Sequence, residues 1–255
     1  TAERERWDEI SRRMLVCFHD GVISQFEGYE GLEELDWDGY RARYGNIQRL
    51  DRILEAEGDT PNRYKLSKQA DTLMLFYLFS RTEVSDLFNR LGYGLDDDTI
   101  DRTIDYYLAR TADGSTLSQV VRAWVIAHRD PDQSFAALQE ALRSDLDDAQ
   151  GGTTAEGVHL GAMAGTVDII ERCYPGLTVR DDVLWFQPII PAEVGPYAFT
   201  LRFRGNWLDI EVSPEGIGLT AHDHNRPVAI GFAGVVEELD PGDHRVLNGT
   251  FGATS

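Results

Sequence analysis

Three short polar segments carry the side chains of this sequence that are best suited to chemistry. Lys68 and Gln69 stand in "SKQAD", Ser115 and Thr116 in "GSTLS", and His159 in "GGTTAEGVHLGAMAG". Each segment is predicted to lie near the start of an apolar helix. Because similar intervals separate the segments along the chain, the three helix starts are predicted to open onto one polar cavity.

Two of these helix starts are typical of an anion site. Gly114, Ser115 and Thr116 precede one apolar helix, and residues 151–154, two glycines and two threonines, precede another. The free amides of a helix N-terminus and the helix dipole both favour negative charge. The pattern therefore predicts a pocket for phosphate, or for the charge that develops on a reacting sugar.

Each segment also has a purely structural interpretation. Thr153 and Glu156 have the spacing of a capping box, which would make Glu156 part of a helix cap. Lys68 can form a salt bridge with Asp71 or another acid instead of reaching sugar hydroxyls. A lone histidine on a helix, such as His159, is more often a structural residue than a ligand.

An earlier segment, residues 19–37, mixes carboxylates, carboxamides and aromatic rings between glycines. Carbohydrate subsites use aromatic faces and carboxylates, but a core-facing loop between helices has the same composition. Both interpretations stay open for His19, Asp20, Gln25 and Glu27.

Helices are predicted to position these groups up to about residue 177. Strongly apolar helices alternate with amphipathic ones, which is typical of an inner and an outer layer. From residue 178 apolar and polar residues alternate between turns such as "RGN" and "SPEG", which predicts antiparallel strands. The sequence thus predicts a mainly α fold with a small all-β domain, divided into residues 1–177 and 178–255.

The charge balance restricts the partners. The sequence contains 24 Lys and Arg residues and 44 Asp and Glu residues, which gives a net charge of −20. Such a surface repels nucleic acid and anionic lipid. The longest apolar run, "LMLFYLF", is far shorter than the roughly 20 residues that cross a bilayer. Cys17 and Cys173 match no metal spacing, and we expect both thiols to be reduced and structural. We expect a cytoplasmic protein.

Four segments together resemble glycoside hydrolase family 65, which contains inverting phosphorylases of trehalose, maltose and kojibiose and some hydrolases. They are "SKQAD", "GSTLS", "GGTTAEGVHLGAMAGTVDII" and "GLTVRDDVLWFQPIIP", and the resemblance spans roughly residues 7 to 240. It implies part of an (α/α)6 barrel followed by an antiparallel β-sandwich, with residues 1–177 as the C-terminal portion of the barrel.

The resemblance also implies a role for each polar segment. Lys68 and Gln69 match the pair that holds the glucose cleaved from the disaccharide. Ser115, Thr116 and His159 match residues that bind phosphate. Disaccharide and inorganic phosphate are the implied partners, with no metal or organic cofactor.

The chain departs from the family pattern in two places. The general acid of the family is a glutamate that we expect upstream of Thr1, so the catalytic residue is not identified here and the chain alone is expected to be inactive. Asp113 stands where many members have a histidine. A carboxylate there can serve as the base of an inverting hydrolase, or simply as a cap.

Our main hypothesis is the C-terminal portion of an inverting α-glucoside phosphorylase that acts on trehalose or a related disaccharide. The alternatives are a trehalase-like hydrolase with Asp113 as base, and a non-catalytic fragment. In each case we expect the N-terminal half of the same enzyme, or a homo-oligomer mate, as a partner.

Overall fold

The computed structural model describes residues 1–147, 154–224 and 226–248, and only the backbone of Glu156. Within these ranges the chain forms two compact units. Described residues 1–121 and 154–157 belong to the first unit, and residues 122–147, 158–224 and 226–248 belong to the second. In the same ranges, no helix is long and apolar enough to span a membrane.

Helices and one short hairpin build the first unit. The hairpin pairs β1 (Phe18–His19) with β2 (Val22–Ile23). The helices in chain order are α1 (Ala2–Ser11), α2 (Trp37–Tyr44), α3 (Leu50–Ala56), α4 (Asp71–Leu78), α5 (Arg81–Arg90), α6 (Asp97–Leu108) and the start of α7 (Thr116–Ile126).

Local capping explains where several helices begin. Asp36 accepts a hydrogen bond from the amide of Gly39 at the start of α2, and Asp96 does so from Thr99 at the start of α6. Ser80 and Glu83 form a reciprocal capping box at α5. These side chains satisfy amides that have no partner inside the helix.

Helix α6 forms the centre of the first unit. Its buried side chains, Ile100, Thr103, Ile104 and Tyr107, recur at the spacing of one helix face. This face packs on α4 and β2. The Tyr107 hydroxyl donates to the carbonyl of Ile23 at 2.8 Å and accepts from the amide of Gln25 at 3.1 Å, which fixes the chain after the hairpin.

Two helices precede the strands of the second unit. Helix α8 (Pro131–Arg143) starts at a proline behind the capping residue Asp130, and α9 (Leu160–Asp168) continues into a π-helical turn, Ile169–Cys173. Buried Ser134 donates to the carbonyl of Ala123 at 2.6 Å.

Eight strands form two four-stranded sheets in the described part of the second unit. The first sheet has the order β10-β7-β6-β5 and is wholly antiparallel. The second has the order β3-β4-β8-β9 and contains one parallel pair, β4 with β8. The strands are β3 (Thr178–Arg180), β4 (Val183–Phe186), β5 (Tyr197–Phe203), β6 (Asn206–Ser213), β7 (Gly216–Ala221), β8 (Val228–Phe232), β9 (Val235–Leu239) and β10 (His244–Asn248).

Alternating apolar side chains of these strands form a hydrophobic core in the second unit. Leu208, Ile210 and Val212 of β6 are buried together with residues of β4, β7 and β8 in one hydrophobic cluster. The β5–β6 turn has positive φ at Arg204 and Gly205, the geometry of a tight hairpin. Both turns predicted from "RGN" and "SPEG" are present.

The predicted fold class is confirmed, with two differences in the strands. The short β1–β2 hairpin lies within the region predicted to be helical, and the parallel β4–β8 pair makes one sheet mixed instead of antiparallel. The division into domains at residue 177 stays a prediction.

Two predicted helix starts are wrong. Helix α4 begins at Asp71, so Lys68 and Gln69 precede the helix and do not form its first turn. The apolar residues 73–79 predict a helix buried on every side, but Leu78 of α4 is 60% exposed. Helix α9 begins at Leu160 after a 3-10 turn, Thr154–Glu156. Thr153, the predicted cap, lies outside the described residues.

Candidate functional site

The loops before α4 and α7 lie side by side in the first unit. The amide of Ser67 donates to the carbonyl of Arg110, and the amide of Ala112 donates to the carbonyl of Ser67, both at 2.9 Å. These two bonds form a parallel bridge between Ser67 and Thr111. The bridge brings the segment of Lys68 next to the segment that leads to Ser115.

Gly114 is tightly enclosed by Gln48 and by the stem of Lys68. A β-carbon at this position would lie 2.3 Å from the carbonyl oxygen of Gln48 and 3.1 Å from Cγ of Lys68. The first distance is far inside van der Waals contact, so only glycine fits without a backbone shift. The stem of Lys68 therefore packs against the residue that precedes Ser115.

Helix α7 starts where the sequence predicts. Thr116 is its first residue and is buried. The Ser115 hydroxyl accepts from the amide of Leu117 at 3.3 Å, and the Ser118 hydroxyl donates to the carbonyl of Lys68 at 3.4 Å. The positive end of an eleven-residue helix thus lies beside the Lys68 backbone, an arrangement that favours an anion.

Gln25 fixes the Lys68 loop from the other side. Its carboxamide nitrogen donates to the Ser67 hydroxyl at 2.8 Å, and its carboxamide oxygen accepts from the Asp71 amide at 3.1 Å. Because Lys68 and Gln69 lie between these two anchored residues, Gln25 positions both. Gln25 therefore has a positioning role, which the composition of residues 19–37 did not predict.

The side chains of Lys68 and Gln69 differ in their surroundings. Lys68 is exposed, and in the described ranges no ion pair joins it to Asp71. Gln69 is half-buried, and its carboxamide nitrogen lies 2.8 Å from the sulfur of Met74. The ammonium group of Lys68 is thus open to a ligand.

His19 belongs to the core. Its Nδ1 lies 2.7 Å from the Ser24 hydroxyl, and its ring contacts Tyr29 and Tyr106 at centroid distances of 5.5 and 5.1 Å. Burial lowers the pKa of the imidazole. The packing of His19 and its bond to Ser24 favour the core-loop interpretation of its segment.

Asp113 has a left-handed backbone. Its φ is +52°, a conformation in which aspartate and asparagine are enriched. The turn that leads into α7 is therefore a sufficient reason for an aspartate at this position, independent of any chemistry.

His159 is held at two points by Asp145 within the second unit. It is the residue before α9. Its amide donates to Oδ2 of Asp145 at 2.9 Å, and its Nδ1 donates to Oδ1 at 2.5 Å. The two bonds lower the pKa of the Asp145 carboxyl. Since Nδ1 is engaged, Nε2 is the ring nitrogen left for a ligand.

The structure thus brings Lys68 and Gln69 together with the start of α7, and it describes His159 in the other unit. No sequence motif marks Asp145, the partner of His159, which stands 14 positions before the histidine.

Comparison with known proteins identifies the family to which the chain belongs. The model of the glycosyl hydrolase family 65 central catalytic domain matches residues 1–168, and that of the family's C-terminal domain matches residues 177–236. The chain therefore belongs to glycosyl hydrolase family 65, an enzyme family.

Individual relatives agree with this membership. An uncharacterized glycosyl hydrolase of Mycobacterium tuberculosis (strain ATCC 25618 / H37Rv) is 54% identical over 240 residues, which are 94% of this chain and 18% of the relative. Trehalose 6-phosphate phosphorylase of Lactococcus lactis is 40% identical over 219 residues, 85% of this chain and 28% of the relative. The chain spans less than a third of either protein.

A solved structure shares the fold. A candidate kojibiose phosphorylase from the human microbiome superposes with a TM-score of 0.74 over 98% of this chain and 34% of its own, at 21% identity.

Proposed function

We propose that this chain is the later part of an inverting phosphorylase that cleaves an α-linked glucose disaccharide. In this proposal residues 1–177 complete an (α/α)6 barrel and residues 178–255 form the β domain behind it. The order of the two matched family domains supports the proposal, as do the names of the relatives.

Trehalose and trehalose 6-phosphate are the proposed substrates. The trehalose 6-phosphate phosphorylase is 40% identical to this chain, whereas an α,α-trehalose phosphorylase of Geobacillus stearothermophilus is 28% identical. Both act on the same linkage by name, so the phosphorylated disaccharide is the first substrate to test.

The residue roles follow the family resemblance. Lys68 and Gln69 would hold the glucose ring, while Ser115, Thr116 and His159 would bind phosphate. The observation that carries this assignment is the packing of the Lys68 stem against Gly114 at the start of α7. It supports a sugar site and an anion site in direct contact, as phosphorolysis needs.

The proposed reaction divides the work between this chain and the longer protein. A glutamic acid of the longer protein would protonate the glycosidic oxygen. Phosphate, bound by the helix start and by Nε2 of His159, would attack the anomeric carbon and invert it. Asp145 would hold the imidazole in the orientation that this contact requires.

A hydrolase is the second candidate, and Asp113 is the reason to consider it. A carboxylate beside the helix start can activate water, the role of the base in an inverting glycosidase. The left-handed φ of Asp113 offers a structural reason for the same residue. Asp113→Asn separates the two, because asparagine keeps the backbone preference and removes the base.

The experiment uses the longer protein, with trehalose and trehalose 6-phosphate, each with and without inorganic phosphate. We expect glucose 1-phosphate only when phosphate is present, and we expect Asp113→Asn to keep this activity. Free glucose released at the same rate without phosphate, and lost in Asp113→Asn, would establish the hydrolase instead. The 255-residue chain alone should give no product, and turnover by it would place the acid within this sequence.

A further inference from the structure

The β10-β7-β6-β5 sheet of the second unit carries a cavity whose lining includes none of the residues proposed for the phosphorylase site. On its outer face Glu211 of β6 stands opposite Gly218 of β7, which stands opposite Val246 of β10. In the next row Ser213, Gly216 and Asn248 are opposite one another. The two glycines line a cavity of about 470 Å³ that is also bordered by residues of β5, β6 and β10, and we name it the sheet trough.

Gly218 has no backbone reason to be a glycine. It lies within a regular strand, and its φ is not in the left-handed region. A β-carbon there would lie 3.4 Å from Cβ and Oε2 of Glu211 and 3.5 Å from Cε1 of His244, which is ordinary contact. Glycine in the middle of a strand is less favourable than alanine because it loses more conformational freedom on folding. Glycine at position 218 leaves the trough open, because it has no side chain to fill it.

The side chains around the trough differ in how they are engaged. His244 is fixed by the Thr220 hydroxyl, 3.0 Å from its Nδ1, and in the adjacent row Asp209 accepts from Thr200 and pairs with His222. The Glu211 carboxylate is exposed, and no hydrogen bond or ion pair engages it within the described ranges. It is available to a ligand.

We propose that the sheet trough binds a neutral sugar ring of an oligosaccharide. Carboxylate, carboxamide and imidazole groups match the hydroxyls of a pyranose. Half-exposed Val246 and the bare backbone at Gly218 suit its flat apolar face. The volume fits the range of small-ligand sites, about 300–1,000 Å³. Glu211 and Glu215 on the rim disfavour anions such as phosphate or a sugar phosphate.

The test measures binding of maltotriose, an uncharged α-linked glucose trisaccharide, to the full chain by saturation-transfer NMR and calorimetry. We expect Gly218→Val to weaken binding by about tenfold or more because its side chain fills the trough. Its melting temperature should not fall, since a β-branched residue favours a strand. Glu211→Ala, at an exposed position, serves as a second variant and should also weaken binding.

Lys68→Ala is the matched control, because it removes the sugar contact of the proposed catalytic site and leaves the trough intact. Maltotriose binding that survives in Lys68→Ala and disappears in Gly218→Val supports the inference. Three results would overturn the inference. Binding could survive in both Gly218→Val and Glu211→Ala, it could be lost only in Lys68→Ala, or the wild type could fail to bind maltotriose at millimolar concentration. None of these outcomes depends on whether the enzyme is a phosphorylase.

Discussion

Asp145 holds His159 through both of its carboxylate oxygens, one on the backbone amide and one on ring Nδ1. The same side chain therefore caps the start of α9 and sets the orientation of the imidazole. A carboxylate in this position fixes the tautomer with Nδ1 protonated, which directs Nε2 to the ligand.

Asp145→Asn in the longer enzyme should weaken the binding of phosphate. The KM for phosphate should rise by about tenfold, the lower end of the effect of removing the orienting partner of a metal-binding histidine. The KM for the disaccharide should change little. Steady-state kinetics with each substrate varied separately measures both, and an unchanged KM for phosphate would remove Asp145 from the proposed site.

The same pair predicts a pH dependence of stability. The hydrogen bonds from His159 lower the pKa of the Asp145 carboxyl in the folded chain. A carboxyl whose pKa is lower in the folded state stabilises it at pH values above the usual aspartate pKa, about 3.9. This stabilisation is lost as the pH falls through the lowered value.

Acid melting curves test that sign. The melting temperature of the wild type should fall more steeply on acidification below about pH 4 than that of Asp145→Asn. Exposed Asp240 gives the control, because Asp240→Asn should follow the wild type. Parallel curves for wild type and Asp145→Asn would contradict the prediction.

Gly114→Ala should destabilise the first unit. The added β-carbon would meet the Gln48 carbonyl at 2.3 Å, and forced overpacking typically costs about 1–3 kcal/mol. Urea unfolding of the full chain measures the loss. Gly94→Ala is the control, since a β-carbon there meets nothing within 4 Å. Equal stability of the two variants would contradict the close contact between Gly114 and the Gln48 carbonyl.

Gln25→Leu should loosen the Lys68 loop. It leaves the Ser67 hydroxyl and the Asp71 amide without their partner, a loss of about 1–3 kcal/mol for each unsatisfied group that stays buried. The expected result is lower stability in urea and a higher KM for the disaccharide in the longer enzyme. Gln139→Leu, at an exposed position of α8, should affect neither.

The two thiols should differ in reactivity. Cys173 is buried, and burial raises the pKa of its thiol, whereas Cys17 is half-buried. Thiolate is the reactive form. A thiol reagent should therefore modify Cys17 first in the native chain and both cysteines after unfolding. Rapid modification of Cys173 in the native state would contradict the burial.

Local signals predicted the start of α7, and distant residues explain the two wrong helix starts. The Asp71 amide of α4 donates to Gln25, 46 positions away. The amide of His159 before α9 donates to Asp145, 14 positions away. A cap supplied by another part of the fold leaves no mark beside the helix, so the sequence favoured the nearest serine or threonine instead.

The antiparallel strands were predictable because their signals are local, as at the start of α7. Alternation along β5, β6 and β7 and the turns between them are local features, and the hairpins follow directly. The parallel pairing of β4 with β8 joins strands separated by three others, and neither strand carries a signal for its partner.

The central claim is that Ser115, Thr116 and His159 bind the phosphate that attacks the sugar. The most direct measurement is the KM for phosphate of the longer enzyme in Ser115→Ala and His159→Ala, with the disaccharide saturating. Each lost hydrogen bond to a charged group should raise it about tenfold or more, with the KM for the disaccharide nearly unchanged. A KM for phosphate equal to the wild-type value in both variants would contradict the claim.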